Sequence, residues 1–477
     1  SGGPFGIEES VSSGGPLFAI LGFVVLPLVW AVPEALIAAE LGTSFPENSG
    51  FVAWVTAAFG PFWGFQEGLW SWLSGVTDNA IYPVLFLSYL EQAMPVIKEP
   101  QYHWVILFGM VAVLTYFNYR GLSLVGRAVV VLTAFTLLPF VVFCVLAAPQ
   151  VDTRKWLEGD WESVKWGPYL NCIFWNINYW DSASTLVGEI SDPNKHYPRA
   201  VLITLAIVML SYIAPLIMGI GLDSDRSRWK EGYLEHLAFR VGGPVLGWWV
   251  VAAAAISNIG QFEAEMSSDA YLLQGMAERG MLPARLARKS KYGSPPLALL
   301  LSCSGMVLAV FSTFTEVVEL LNFLYCLAEL LEFAAFVRLR IIAPDLNRPF
   351  RIPLGTAGIV AILLFPVAFI IVIMCMASLR TIVVSGTVVV CGPVLYYLAE
   401  MARRNKWCEF YEMKYYVAYD ENSHQHPTGG VDTEEEYYVP GALESAPEEN
   451  LNPSTPLDAD ANTPLLVHDN TDAETSR

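Results

Sequence analysis

Phe174-Trp175-Asn176-Ile177-Asn178-Tyr179-Trp180-Asp181 places two asparagines and a carboxylate in the middle of an apolar run, Tyr169 to Leu186. In a water-soluble core such a run would be one buried segment among many polar ones. Here it is one of eleven apolar spans, most close to or above the roughly 20 residues that cross a bilayer core. The others lie at about Leu17 to Leu41, Trp63 to Leu90, Trp104 to Asn118, Ala128 to Ala148, Val201 to Leu222, Val245 to Leu273, Leu297 to Phe314, Val317 to Val337, Ile359 to Ala377 and Thr381 to Leu398. A backbone facing lipid must satisfy its hydrogen bonds internally, so the expected fold class is an all-α integral membrane bundle. Only 15% of the 477 residues are charged, against 54% hydrophobic.

The stretch from Gly2 to Ser13 reads as the second half of a further span, and the chain opens on Ser1 without an initiator methionine. The reading therefore takes the chain as a fragment whose first half-helix is missing. Counting that half-span gives twelve crossings, with both ends on one side. Basic residues concentrate on the side where the chain leaves Leu398, among them Arg285, Arg288, Lys289, Lys291, Arg338, Arg340, Arg403 and Arg404. The positive-inside rule then expects a cytoplasmic C terminus. The expected domains are a transmembrane body over residues 1–402 and a cytoplasmic tail over 403–477.

Most of the formal charge of −19 belongs to that tail. Residues 409–477 hold 16 Asp/Glu against 2 Lys/Arg, and prolines recur at 440, 447, 453, 456 and 464. Without apolar periodicity this segment is expected to be disordered. The body is close to charge balance, and no nucleic-acid partner is expected. The seven cysteines lack metal-site or disulfide spacing, and the six histidines fall in connections or the tail. No metal, cofactor or enzymatic centre is expected.

Carboxylates within the spans carry the functional reading: Glu34, Glu67, Asp78, Asp181, Glu265, Asp269, Glu329 and Glu332. The lysines and arginines fall in connections, span ends or the tail, so these acids have no fixed cation at their own depth. Such a carboxylate takes up a proton or faces a cavity where a cation neutralises it. Glu34 and Glu67 are read as near span ends, reaching water and tethering connections, whereas Asp181 and Glu265 are read as site residues.

Carriers built from inverted repeats bind cargo at broken helices near the midplane. Two breaks are expected. One is Ser1-Gly2-Gly3-Pro4-Phe5-Gly6, which is poor helix chemistry. The other is the stretch quoted first, five spans later. Helical spacing also gathers polar stripes: Asn79 with Tyr82, Trp175 with Asn178 and Asp181, and Asn322 with Tyr325, Glu329 and Glu332.

Several motifs resemble the amino acid, polyamine and organocation transporter superfamily. Glu189-Ile190-Ser191-Asp192-Pro193, running on to Tyr197-Pro198-Arg199, looks like its signature. The opening Ser1 to Gly6, the stretch Glu40 to Gly50 and Glu278-Arg279-Gly280-Met281-Leu282-Pro283 agree with it. Phe174 to Ser184 is most similar to the plant polyamine uptake transporters. The resemblance implies a five-plus-five inverted repeat followed by two extra helices, working by alternating access. It places Gly2 and Gly3 where amino-acid carriers hold a substrate carboxylate, and Trp175 on an aromatic that covers substrate. Asn79 falls on a polar substrate neighbour and Asp181 on a gating or proton-sensing acid. Glu265 replaces a tryptophan, a change that suits a longer cation.

A polyamine needs separated carboxylates, aromatic faces and dry walls for its methylenes. Asp181 and Glu265 are the expected ammonium anchors, Trp175, Tyr82 and Tyr325 the stacking faces, and Asn79 and Asn178 neutral acceptors. Asp181, then Glu265, are the expected proton carriers, with sodium coupling the alternative. The fifth span holds no lysine, so a lysine-based coupling seen in some relatives does not carry over. The expected function is proton-driven polyamine uptake, at the plasma membrane or else the Golgi or endoplasmic reticulum. A cationic amino-acid carrier and a nutrient receptor on a transporter scaffold are the alternatives.

Overall fold

The fold, taken from a computed structural model, is described for residues 3–93, 96, 99–305 and 314–413. Ser1, Gly2 and the acidic tail from residue 414 onward lie outside the described residues. Within them the chain is helical throughout, and no strand occurs.

Gly3 to Ile7 are not helical, and Gly3 and Gly6 take φ of 92° and 78°. They lead into a short helix α1 (Glu8–Gly14). Next come α2 (Pro16–Val29) and α3 (Ala31–Ser44), two parts of one crossing that bends at Trp30 (φ −116°, ψ −73°). A buried nine-residue helix, α4 (Phe51–Phe59), precedes α5 (Pro61–Asn79) and α6 (Ile81–Ala93). The first half closes with α7 (Pro100–Tyr119) and α8 (Leu122–Ala147).

The same order then recurs. Helix α9 (Trp166–Ile177) stops at a break over residues 178–181 and resumes as a 3-10 helix, Ser182–Glu189. Helix α10 (Pro193–Leu222) is one long crossing. Helix α11 (Tyr233–Glu278) turns at Gly243, dividing a short outer piece from a long crossing, as α4 stands before α5. Helices α12 (Pro296–Ser302) and α13 (Phe314–Ile342) follow, then α14 (Thr356–Cys375) and α15 (Leu379–Arg404). Five crossings is an odd number, so the second set runs through the membrane in the opposite sense to the first. Residues 306–313, the end of the expected span Leu297 to Phe314, lie outside the described residues.

Seven described helices or helix pairs are long and apolar enough to cross a membrane by themselves, including Pro16–Ser44, Pro193–Leu222 and Glu316–Ile342. Proline in the first turn of α2, α5, α7, α10 and α12 supplies a preset φ where no amide donor is needed. The core is aromatic: Trp30 meets Phe174 at 4.9 Å and Phe333 at 5.9 Å between ring centroids. That cluster fixes the bend at Trp30 against the first half of the broken α9. Helix α5 packs on α13 and α4, while α11 packs on α8, α6 and α5. These contacts bring the polar faces of α5, α11 and α13 around the break.

Outside the spans, the connection after α10 is tied by Asp223. Its carboxylate accepts from Tyr233 Oη at 2.5 Å, from the Asp225 amide and from Arg228. Partial burial works to raise its pKa, but those hydrogen bonds outweigh it and hold the carboxyl below the usual carboxylate range.

Candidate functional site

The described part of the first expected break, Gly3 to Gly6, faces the second across α9, and Ser1 and Gly2 lie outside the described residues. An alanine Cβ at Gly6 would fall 2.7 Å from the Trp175 ring, so only glycine lets the first break close on α9. Asn176 Nδ2 donates to Gly6 O at 3.4 Å across the same contact. The second break is sharper than its sequence suggests, because Tyr179 adopts φ 68°, a left-handed conformation costly for a bulky residue. The spacing Trp175, Asn178, Asp181 is therefore not one helical face. Asn178 caps α9 in an extended conformation and Asp181 begins the next element, so the three diverge around the break.

Two groups of carboxylates flank it. The first gathers Asp78 at the end of α5 with Glu265 and Asp269 of α11. Asp78 accepts from Trp175 Nε1 at 2.7 Å and from Tyr82 Oη. Gly75, one turn earlier, leaves room for the acids: a Cβ there would be 3.0 Å from Glu265 Oε1 and closer still to Asp269. Asp269 is buried, and its Oδ2 has no hydrogen-bond partner among the described residues. Glu265 is half-buried. Asn79 ends the same helix, 2% exposed, with Oδ1 unpartnered.

The second group gathers Glu34 of α3, Asp181 of the break and Glu329 of α13 around one hydroxyl. Tyr325 Oη lies 2.7 Å from Glu34 Oε1, 2.8 Å from Asp181 Oδ1 and 2.7 Å from Glu329 Oε1. The break contributes two backbone donors: the Tyr179 amide to Tyr325 Oη at 3.1 Å, and the Trp180 amide to Glu34 Oε1 at 2.6 Å. Tyr325 is 1% exposed, and Glu34, Asp181 and Glu329 are no more than 2% exposed.

Tyr179 and Tyr325 separate the two groups, with ring centroids 4.4 Å apart. Ser74 Oγ donates to Leu321 O, so its 2.9 Å contact with Tyr179 is donated by the tyrosine hydroxyl. Asn178 Nδ2 reaches Asn322 Oδ1 at 3.5 Å and its own Oδ1 is unpartnered. Among the described residues, neither Asp181 nor Glu265 pairs with a lysine or arginine. Glu40 is the contrasting acid: fully buried, it is neutralised by Arg340 at 2.5 Å and Arg348 at 3.2 Å.

The reading of Glu34 and Glu67 as water-reaching residues is corrected by these positions. Glu34 is 2% exposed and Glu67 fully buried. The bend at Trp30 carries Glu34 inward against the break, which distance along the sequence does not reveal. Asp78 and Asp269 are also more central than expected. Their signal was present in helical spacing, Asp78 four residues before Tyr82 and Asp269 four after Glu265. Tyr179 was not singled out, since its importance lies in backbone geometry. Gly3 is buried at the first break, and Gly2 lies outside the described residues.

Beside the first break, a cavity of about 240 Å³ is lined by Gly6, Glu9, Asn171, Trp175 and Glu319 among others. It shares Trp175, whose indole donates to Asp78, with the first carboxylate group.

A multi-span bundle with two opposed helix breaks around buried, cation-free carboxylates defines a membrane transporter. The chain belongs to the amino acid permease family, whose profile matches residues 1–390. It is 50% identical to the probable polyamine transporter At3g19553 of Arabidopsis thaliana, over 86% of each chain. It is also 50% identical to polyamine transporter PUT1 of Oryza sativa subsp. japonica, over 86% of this chain and 77% of that one. With polyamine transporter RMV1 of Arabidopsis thaliana it shares 48% identity over 86% of this chain and 84% of the relative.

Proposed function

We propose that the protein takes up polyamines by proton symport, alternating the access of one central site between the two sides of the membrane. The carrying observation is a surplus of buried acceptors. Among the described residues, Asp269 Oδ2, Asn79 Oδ1 and Asn178 Oδ1 have no donor, and neither carboxylate group meets a lysine or arginine. A polyamine is the complementary ligand: its ammonium groups only donate, and it brings no carboxylate to be matched. The plant relatives, named as polyamine transporters, support the same substrate class.

In this reading Glu265, with Asp78 and Asp269, anchors one ammonium group, and Asp181 anchors the other end. Trp175, Tyr82 and Tyr325 offer aromatic faces between them, a contact worth about 0.5–2 kcal/mol per desolvated cation. Asn79 and Asn178 accept from the inner nitrogens. The break at residues 178–181 supplies the moving part, since its backbone is free of helical constraints on both sides. An inward proton gradient and a negative interior both favour entry, the potential adding about 2.3 kcal/mol per charge per 100 mV. The protein works in the plasma membrane with its C terminus in the cytoplasm.

Radiolabelled spermidine uptake by the full-length protein in vesicles tests this. Uptake should collapse with a protonophore, and Asp181→Asn or Glu265→Gln should each remove most of it. Undiminished uptake in both variants overturns the site assignment. Arginine competing better than spermine would transfer the protein to the cationic amino-acid carriers.

A further inference from the structure

The hydroxyl of Tyr325 sets a proton count. A phenol oxygen has one hydrogen to give and two lone pairs to accept with. The Tyr179 amide occupies one lone pair, leaving one hydrogen and one lone pair for three carboxyl oxygens at 2.7, 2.8 and 2.7 Å. Were Glu34, Asp181 and Glu329 all ionised, one contact would be a hydrogen bond and the other two would set lone pair against lone pair. The three carboxyl oxygens also lie within 4.8 Å of one another, a separation at which like charges cannot all persist in a dry site. At least one of the three carboxyls therefore holds a proton in this conformation.

The surroundings agree. On α13, Glu332 is a further buried acid one turn after Glu329, 2% exposed, and its Oε1 has no partner among the described residues. On α10, Tyr197 is 2% exposed, and its hydroxyl has no partner among the described residues. On α5, which packs on α13, Glu67 is a further fully buried acid. From the break come the Tyr179 amide to Tyr325 and the Trp180 amide to Glu34, and the Asp181 and Ser182 amides act on the Asp181 carboxyl. No lysine or arginine among the described residues pairs with Glu34, Asp181, Glu329 or Glu332, and the nearby Arg340 and Arg348 are committed to Glu40.

We infer that Glu34, Asp181 and Glu329, joined through Tyr325, form a single shared-proton site that stores the coupling proton. This inference rests on the proton-symport reading and deepens it: the proton belongs to a cluster on three elements, not to Asp181 alone. Glu34 and Glu329 are its members that do not touch cargo. The site is wired to the moving part, because the two amides freed by the break end on Tyr325 Oη and Glu34 Oε1. Release of the proton toward the cytoplasm leaves like charges around Tyr325. Their repulsion pulls on those two amides, so the break rearranges with the proton load. Linkage requires the converse as well, so polyamine held at Asp181 must alter the proton affinity of Glu34 and Glu329.

The test compares two modes of transport by the full-length protein in proteoliposomes. Exchange of labelled against unlabelled spermidine at equal pH needs no net proton movement. Accumulation driven by an acidic exterior does. Glu34→Gln and Glu329→Gln should keep exchange within about threefold of wild type and lose acid-driven accumulation by about tenfold or more, the size of a typical coupling factor. Tyr325→Phe keeps the ring packing, and should also lose the acid-driven component. It serves if either glutamine variant fails to fold, judged by a spermidine-induced thermal shift in detergent. Acid-driven accumulation unchanged in the folded variants overturns the shared site. So does loss of exchange together with accumulation, which would make Glu34 and Glu329 cargo anchors. Wild-type accumulation indifferent to the pH gradient is a different failure, that of proton symport itself.

Discussion

At the scale of single residues, the site depends on side chains that are absent as much as on those present. Gly6 is the clearest case, with φ 78° and the Trp175 ring directly over the place where a Cβ would stand. Gly6→Ala should cost about 1–2 kcal/mol for the left-handed backbone. It should also push the indole away from Asp78. The expected result is a lower melting temperature in detergent together with a raised KM for spermidine. A KM equal to wild type would mean that Trp175 does not shape the cargo site. Tyr179 shows the same economy in reverse, since its φ of 68° is the distortion that turns its amide toward Tyr325. Nothing in the sequence marks that residue, because Asn178, a neighbour with far better left-handed tolerance, keeps an ordinary φ.

At the scale of elements, the contrast between Glu40 and Glu34 separates structural from functional acids on one helix. Both lie on α3, six residues apart. Glu40 accepts from the Ile352 amide at 2.8 Å and is locked to Arg340 and Arg348, so it fastens α3 to the end of α13 and the connection beyond. Glu40→Gln would leave two buried guanidinium groups without their counter-charge. The expected loss is about 3–5 kcal/mol. It should appear as a large drop in melting temperature, with proton dependence unchanged in whatever protein survives. Apolar length made the long crossings legible in the sequence, and glycine and proline marked the first break. The nine residues of α4 were not legible as an element, being too short for a span and too apolar for a surface loop. The depth of Glu34 was equally hidden, since it follows from the bend at Trp30 and from which neighbours α3 meets. Such facts belong to tertiary packing, which the periodicity of one segment does not encode.

At the scale of the whole molecule, the first acidic residues after α15 pack against the transporter body. The acidic segment begins at Glu409, yet Glu409 O accepts from the Ala284 amide at 2.8 Å, and its carboxylate pairs with Arg288 at 2.8 Å. The backbone of Tyr411 and Glu412 lies so near Gly280 that a Cβ there would meet the Tyr411 carbonyl 2.6 Å away. Residues 409–412 therefore strap the connection between α11 and α12, which also carries Lys289, the 2.7 Å partner of Glu189 after the broken helix. Through that ion pair the strap is linked to the end of the 3-10 helix that follows the break. Truncation after Met413 should leave spermidine uptake close to wild type, because every one of these contacts survives. Truncation after Cys408 should lower uptake several-fold and expose the 279–289 connection to limited proteolysis. The pair of truncations also decides between carrier and receptor. A receptor signalling through the acidic tail loses its output at the first cut, whereas a carrier loses function only at the second, where the strap is removed from the connection that holds Lys289 against Glu189.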